Sequence, residues 1–183
     1  MKALFIAFFL FATYIGINAQ EAKKEAQKAE TKMEAFSSKA GTIIKFIDTK
    51  LPDLKLTYNG YAETRIRKII KDQEAQFFYQ IEAKGSDKSG TASIAYDDLL
   101  EVIKAIKTLK DEVGADIQLS PDYLENRFKT SDDFELGYYV DKGKASWYLK
   151  LEKYGSNTLF IKDSESIEPA FVGAKNKIEE LKK

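Results

Sequence analysis

The apolar residues of this chain change period twice, and both times in the same order: short alternating runs first, then a stretch at helical spacing. Thr42–Asp48 is β-branched and apolar, Tyr61–Ile70 alternates, Gln76–Lys84 carries Phe77, Tyr79 and Ile81 on one side, and Thr91–Tyr96 is a fourth short run. Asp97 and Asp98 then open a segment in which Leu99, Val102, Ile103, Ile106, Leu109 and Val113 recur three and four apart, with Gly114 placed to end it. The second block repeats the order: Tyr123–Thr130, Phe134–Val140, Ala145–Lys153 and Thr158–Lys162, then Ile167, Phe171, Ala174, Ile178 and Leu181 at helical spacing. A strand sends successive side chains to opposite faces, whereas a helix returns to one face every three to four residues, so these spacings predict four strands and a helix, twice. Acids in the first helical turn suit the positive end of the helix dipole. The expected fold class is α+β: two consecutive ββββα units over residues 42–116 and 117–183, with antiparallel sheets covered by helices.

The two blocks also align with each other. A shift of 70 residues sets Phe77-Phe78-Tyr79-Gln80-Ile81-Glu82 against Trp147-Tyr148-Leu149-Lys150-Leu151-Glu152, and brings Ile66 to Leu136 and Ile70 to Val140. Few residues are identical, but the strand phase is kept, which is the pattern of an internal repeat. Asp141-Lys142-Gly143-Lys144 reads as a hairpin turn. Its counterpart Lys71-Asp72-Gln73-Glu74 lacks glycine and is a weaker turn signal. Ser120-Pro121-Asp122 marks the boundary, since a proline cannot continue the first helix.

The start of the chain differs from both blocks. Lys2, the apolar run Ala3–Ile15 and the small Ala19 before Gln20 have the three parts of a secretory signal peptide, residues 1–19. The apolar run is shorter than the roughly 20 residues a membrane-spanning helix needs, so cleavage and a periplasmic or secreted destination are expected, with no membrane span left. Residues 20–41 form a charged helical leader: Ala22, Ala26, Ala29, Met33, Phe36 and Ala40 line one face, and Gly41 is placed as its left-handed cap. A face made mostly of alanine buries little area, so this helix reads as solvated.

Composition closes off much chemistry. The chain has no cysteine and no histidine, which excludes disulfides, thiolate or imidazole metal sites, and nucleophilic triads built on either residue. Phosphate-binding glycine loops, the nucleophile elbow and calcium loops are also missing from the sequence. The acidic pairs Asp97-Asp98 and Asp132-Asp133 fall at a helix start and in a turn, where acids have structural reasons to be. No cofactor, no metal and no enzymatic activity are expected. Full-length charge is balanced at 29 Lys+Arg against 29 Asp+Glu; removing residues 1–19 takes one lysine and no acid, leaving −1. That balance supplies no bulk attraction for nucleic acid.

Strand alternation divides the aromatic residues between two faces. Phe77, Tyr79 and Ile81 with Ile66 and Ile70, and Phe134, Leu136, Tyr138 and Val140 with Trp147, Leu149 and Leu151, should take the helices. Phe78, Tyr139, Tyr148 and Phe160 are then left on the outer faces among Arg65, Arg67, Lys150, Lys162, Glu82, Glu135 and Glu152. Such a mixture builds a stacking platform, and equally builds ordinary cross-strand stability or a seam for a second sheet. Arg65, Arg67, Phe78, Tyr139, Tyr148 and Lys150 are the candidate ligand-binding residues. The reading is an exported, non-enzymatic binding module for a protein, peptide or carbohydrate, or an envelope structural element. Carboxylate-based hydrolysis is a lesser alternative.

On element order alone, the two ββββα units over residues 42–182 resemble the Whirly and PUR-repeat nucleic-acid-binding proteins. That resemblance implies curved sheets that bind single strands. It carries no motif and therefore no residue assignments, and a shared fold does not fix function.

Overall fold

A computed structural model of the chain describes residues 31–58, 60–84, 90–152 and 158–183. The expected signal peptide and the part of the leader over 20–30 lie outside the described residues. The elements are α1 (Lys32–Ser37), β1 (Ile44–Lys55), β2 (Tyr61–Lys71), β3 (Glu74–Lys84), β4 (Thr91–Ala95), α2 (Tyr96–Gln118), β5 (Leu124–Lys129), β6 (Glu135–Asp141), β7 (Lys144–Lys150), β8 (Thr158–Phe160) and α3 (Ile167–Leu181). They form two four-stranded sheets in sequential order, β1-β2-β3-β4 and β5-β6-β7-β8, with every pair antiparallel. Short connections between alternating strands leave little other choice.

The shift of 70 residues holds in the hydrogen-bond register. Ile66 pairs with Tyr79 in the first sheet and Leu136 with Leu149 in the second. Both hairpins turn through two residues, Asp72-Gln73 and Lys142-Gly143. Asp72 (φ 55°), Lys142 (φ 50°) and Gly143 (φ 73°) take the left-handed backbone that matches the twist of a two-residue hairpin.

Two element ends within the ββββα units run four or more residues beyond the sequence reading. β1 runs beyond Asp48 to Lys55 because a bulge at Pro52-Asp53 absorbs the proline, and Thr64 Oγ1 donates to Pro52 O at 2.8 Å across it. α2 passes through Gly114, where an added Cβ would meet open space, and ends instead at Gln118, just before Ser120, whose φ of 49° turns the chain ahead of Pro121. Burial of Leu99, Val102, Ile103, Ile106 and Leu109 outweighs the cost of one mid-helix glycine, about 1 kcal/mol.

The helices are exchanged between the halves. α2 follows the first sheet but packs chiefly on β5, β6 and β7, while α3 follows the second and packs on β1, β2 and β3. Tyr138 Oη donates to Asp116 of α2 at 2.6 Å, and Asn126 Nδ2 donates to Glu112 at 2.7 Å. Phe171 of α3 meets Tyr79 of β3 edge to face at 5.2 Å. The sheets also join at their edges, where Thr57 N donates to Phe160 O at 2.9 Å and Lys162 N to Lys55 O at 3.1 Å. One continuous core results, containing the inner residues of both sheets, Trp147 among them. No helix among the described residues is long and apolar enough to cross a membrane.

α1 is short, and it is not solvated. Thr31 and Glu34 close it with a reciprocal capping box, and it stops at Ser37, short of Gly41. Phe36 is buried with Ile69 and Phe78 on the outer side of the first sheet, with Met33 and Ile44 beside them. Lys32 ties the helix to Asp98 Oδ1 at the start of α2 at 2.5 Å and, by its backbone N–H, to Asp132 Oδ2 of the second half at 2.9 Å.

Candidate functional site

The six candidate residues fall into two groups on different sheets. Arg65, Arg67 and Phe78 belong to the first. Phe78 points outward as the alternation requires, but it is fully buried because Phe36 closes over it, so it offers no surface to a ligand. Arg67 holds Asp48 with both ends of its guanidinium, at 2.8 and 2.7 Å, and so keeps that carboxyl below its usual range. Arg65 is taken up by Glu82 at 2.7 Å and Gln80 at 2.9 Å. This half of the candidate site is a covered, internally paired surface.

Tyr139, Tyr148 and Lys150 lie on the outer face of the second sheet, which no described helix covers. Arg127, Gly137 and Tyr148 stand in one row across β5, β6 and β7, followed by Phe160 on β8. Tyr148 Oη donates to Glu125 Oε1 at 2.5 Å, so its ring has to cross β6, and it crosses at Gly137, where no side chain stands in the way. Tyr148 is consequently buried rather than facing solvent, only 5% exposed. Burial, then the bond to Glu125, raises its phenol well above the ordinary tyrosine range, while that bond and one from Tyr123 hold Glu125 low.

Next to this row Glu135 is buried beneath three cations: Arg127 Nη1 at 2.8 Å, Lys129 Nζ at 3.7 Å and Lys150 Nζ at 3.8 Å. Lys129 also binds Asp133 at 2.6 Å. Tyr139 and Phe160 meet edge to face at 6.0 Å, both half-buried. They form a ridge between two hollows. One, about 360 Å³, is lined by Glu125, Arg127, Glu135, Tyr148, Lys150 and Thr158; the other, about 250 Å³, includes Tyr58, Ser146, Trp147 and Lys162.

Arg127 and Glu125 were absent from the outer-face assignment, although the alternation of β5 carries the signal: Leu124, Asn126 and Phe128 point one way, Glu125, Arg127 and Lys129 the other. Chemically the face presents fixed charges and an aromatic ridge. Glu125 is held low as an acceptor of the Tyr148 hydroxyl, and Glu135 lies among cations. The acids Asp97, Asp98 and Asp132, Asp133 have the structural places expected of them, at the start of α2 and in the β5–β6 turn.

The fold and this face define an α+β module of two helix-exchanged halves with one open sheet. Compared with protein-family models, curated proteins and solved structures, the chain matches none. The likeness to Whirly and PUR-repeat proteins therefore rests on element order.

Proposed function

We propose that the protein is an exported, non-enzymatic binding module that holds an oligosaccharide on the outer face of its second sheet. The observation that carries this is the Tyr139–Phe160 ridge, an aromatic surface on an uncovered sheet, with Arg127, Lys150 and Glu125 fixed beside it. Sugar rings lay their C–H faces on aromatic rings, and their hydroxyls take hydrogen bonds from charged donors and acceptors that are already in place. Export is supported by Lys2, the apolar run and Ala19, with cleavage leaving Gln20 as the new terminus.

A glycan array followed by thermal-shift titration tests the reading, because a ligand of the native state raises the melting temperature by mass action. Tyr139→Ser and Phe160→Ser are expected to weaken binding at least tenfold while costing about 1 kcal/mol of stability each, the scale of a cross-strand pair. Retained binding in both variants removes this face from consideration. Intact mass of the mature protein checks export: loss of residues 1–19 supports it, and full-length chain in the membrane fraction counts against it.

A second reading, single-stranded nucleic acid, is favoured by the two-unit ββββα order. On this face Arg127, Lys129 and Lys150 are matched by Glu125, Asp133 and Glu135, so the face has no net positive charge to draw a phosphate chain. Affinity that falls steeply with added salt would move the assignment to nucleic acid.

A further inference from the structure

The first sheet ends in a strand that is paired on one side only. From Ile44 to Leu51, β1 bonds β2, and among the described residues no strand meets its other edge; the junction with the second sheet begins only at Lys55–Thr57. Natural sheets protect such edges with charge, prolines or covering segments, because a row of free N–H and C=O groups templates another strand. Here three exposed hydrophobics stand at the edge among the charged Lys45, Asp48 and Lys50. Ile43 is 89% exposed, Phe46 51% and Ile47 42%, and among the described residues only Leu119 and three tyrosines are exposed large hydrophobics elsewhere.

We infer that β1 pairs antiparallel with β1 of a second copy of this chain, about a two-fold axis at Ile47, making one sheet across a homodimer. The strand is self-complementary in that register. Same-face pairing about Ile47 sets Ile47 against its copy, Ile43 against Leu51, Lys45 against Thr49, Ile44 against Lys50 and Phe46 against Asp48. No like charges face each other. Arg67 holds its own Asp48 and lies over the Phe46 ring at 5.7 Å, so the Asp48 of the second copy arrives beside a guanidinium. A register centred on Asp48 would oppose two carboxylates and is disfavoured. Pro52 ends the stretch, since it cannot donate to a ladder. Pairing like with like closes on itself, so the product is a dimer rather than a fibre.

The absence of native cysteine permits a direct test in protein expressed from the full 183-residue sequence. In Ile47→Cys, the two introduced thiols face each other across the axis, within the span a disulfide bridges. Thr108→Cys, on the exposed side of α2, serves as control. The expected result is a dimer by light scattering, conversion of I47C to a disulfide-linked dimer under mild oxidation with T108C unchanged, and a monomer for Phe46→Glu. A monomer at high micromolar concentration overturns the inference, whether or not the edge amides resist hydrogen exchange because the chain's own N-terminal segment covers them. A dimer that F46E leaves intact, one in which I47C cross-links no faster than T108C, or open-ended oligomers overturn it as well. A correctly folded F46E, shown by unchanged emission from Trp147, separates loss of pairing from loss of fold.

Discussion

Phe36 packs on Phe78, with Ile69 alongside, on the outer side of β2 and β3, and Lys71 places its ammonium 4.3 Å from the Phe36 ring and donates to the Phe36 carbonyl at 3.0 Å. This small second core makes the two sheets unequal. The first has its inner face under α3 and part of its outer face, around Phe78 and Ile69, under α1; the second has one face covered and one that no described helix covers. Phe36→Ala should cost about 3 kcal/mol, the lower end for a buried phenylalanine, because only the satellite cluster is emptied. Urea denaturation measures the loss, and binding of a hydrophobic dye by the native variant reports the uncovered Phe78. A change under about 0.5 kcal/mol would mean that α1 does not hold that face closed.

Gly137 stands where the Tyr148 ring crosses β6, and a Cβ there would lie 2.7 Å from Arg127 Cβ and 2.8 Å from Arg127 Cα on the neighbouring strand. The obstruction includes backbone, so no rotamer change relieves it. Gly137→Ala is expected to destabilise the protein by about 1–3 kcal/mol, in the range for overpacked sites, although alanine ordinarily favours neither turn nor bulge. An alanine variant as stable as the parent would contradict this close approach of β5 to Gly137.

The bond between Tyr148 and Glu125 also sets a pH dependence at both ends of the scale. Glu125 has its folded-state pKa lowered, first by that bond, so its contribution is present above the unfolded carboxylate value and is lost as pH falls through the folded one. Tyr148 has its folded-state pKa raised, so its contribution is present below the ordinary phenol range and is lost as pH rises through the folded value. Tyr138, buried and bonded to Asp116, is pushed up to about 12 and joins it. Ultraviolet titration should show phenols ionising late, with one fewer in Tyr148→Phe. The same variant should lose about 1 kcal/mol near neutrality, a figure reduced for the partial exposure of Glu125, and show a shallower fall of stability in acid. Equal acid sensitivity in parent and variant would detach Glu125 from Tyr148.

Much of the architecture could be read from period alone. Alternation placed Ile66, Tyr79, Ile81, Leu136, Trp147 and Leu149 on the core side, and the helical stripes from Leu99 and Ile167 were equally plain. What the period does not encode is who covers whom. An alanine- and lysine-rich leader reads as solvated, and Phe36 with Met33 was its only hint of a buried seat, too few residues to outweigh the composition. Tyr148 was placed on the correct side of its strand, but its burial depends on a glycine facing it on the neighbouring strand, information carried by register rather than by local sequence. The exchange of helices leaves the order of elements unchanged, so no linear pattern reveals it.

That exchange yields the sharpest test of the fold. Cutting between Ser120 and Pro121 leaves the first half with α2, whose apolar stripe belongs chiefly on β5–β7, and without α3, which covers β1–β3. The second half has the converse problem: Tyr138 and Trp147, whose rings meet at a tilt at 4.9 Å under α2, lose their cover. In the native arrangement α2 reaches only β3 and β4 of its own sheet and most of its cover lies on the other, so neither fragment can fully bury its inner sheet face with its own helix, and residues 31–120 and 121–183 should each be largely unfolded alone. Mixed in equal amounts they should reassociate, since the missing link is a surface turn and every buried contact is recovered. Trp147 is the chain's single tryptophan and lies in the second fragment, so its emission should shift to the blue only on mixing. The uncut chain should unfold in one cooperative transition by circular dichroism and by tryptophan fluorescence alike. A first half that folds cooperatively by itself, or two separated transitions in the intact protein, would show that each helix serves its own sheet.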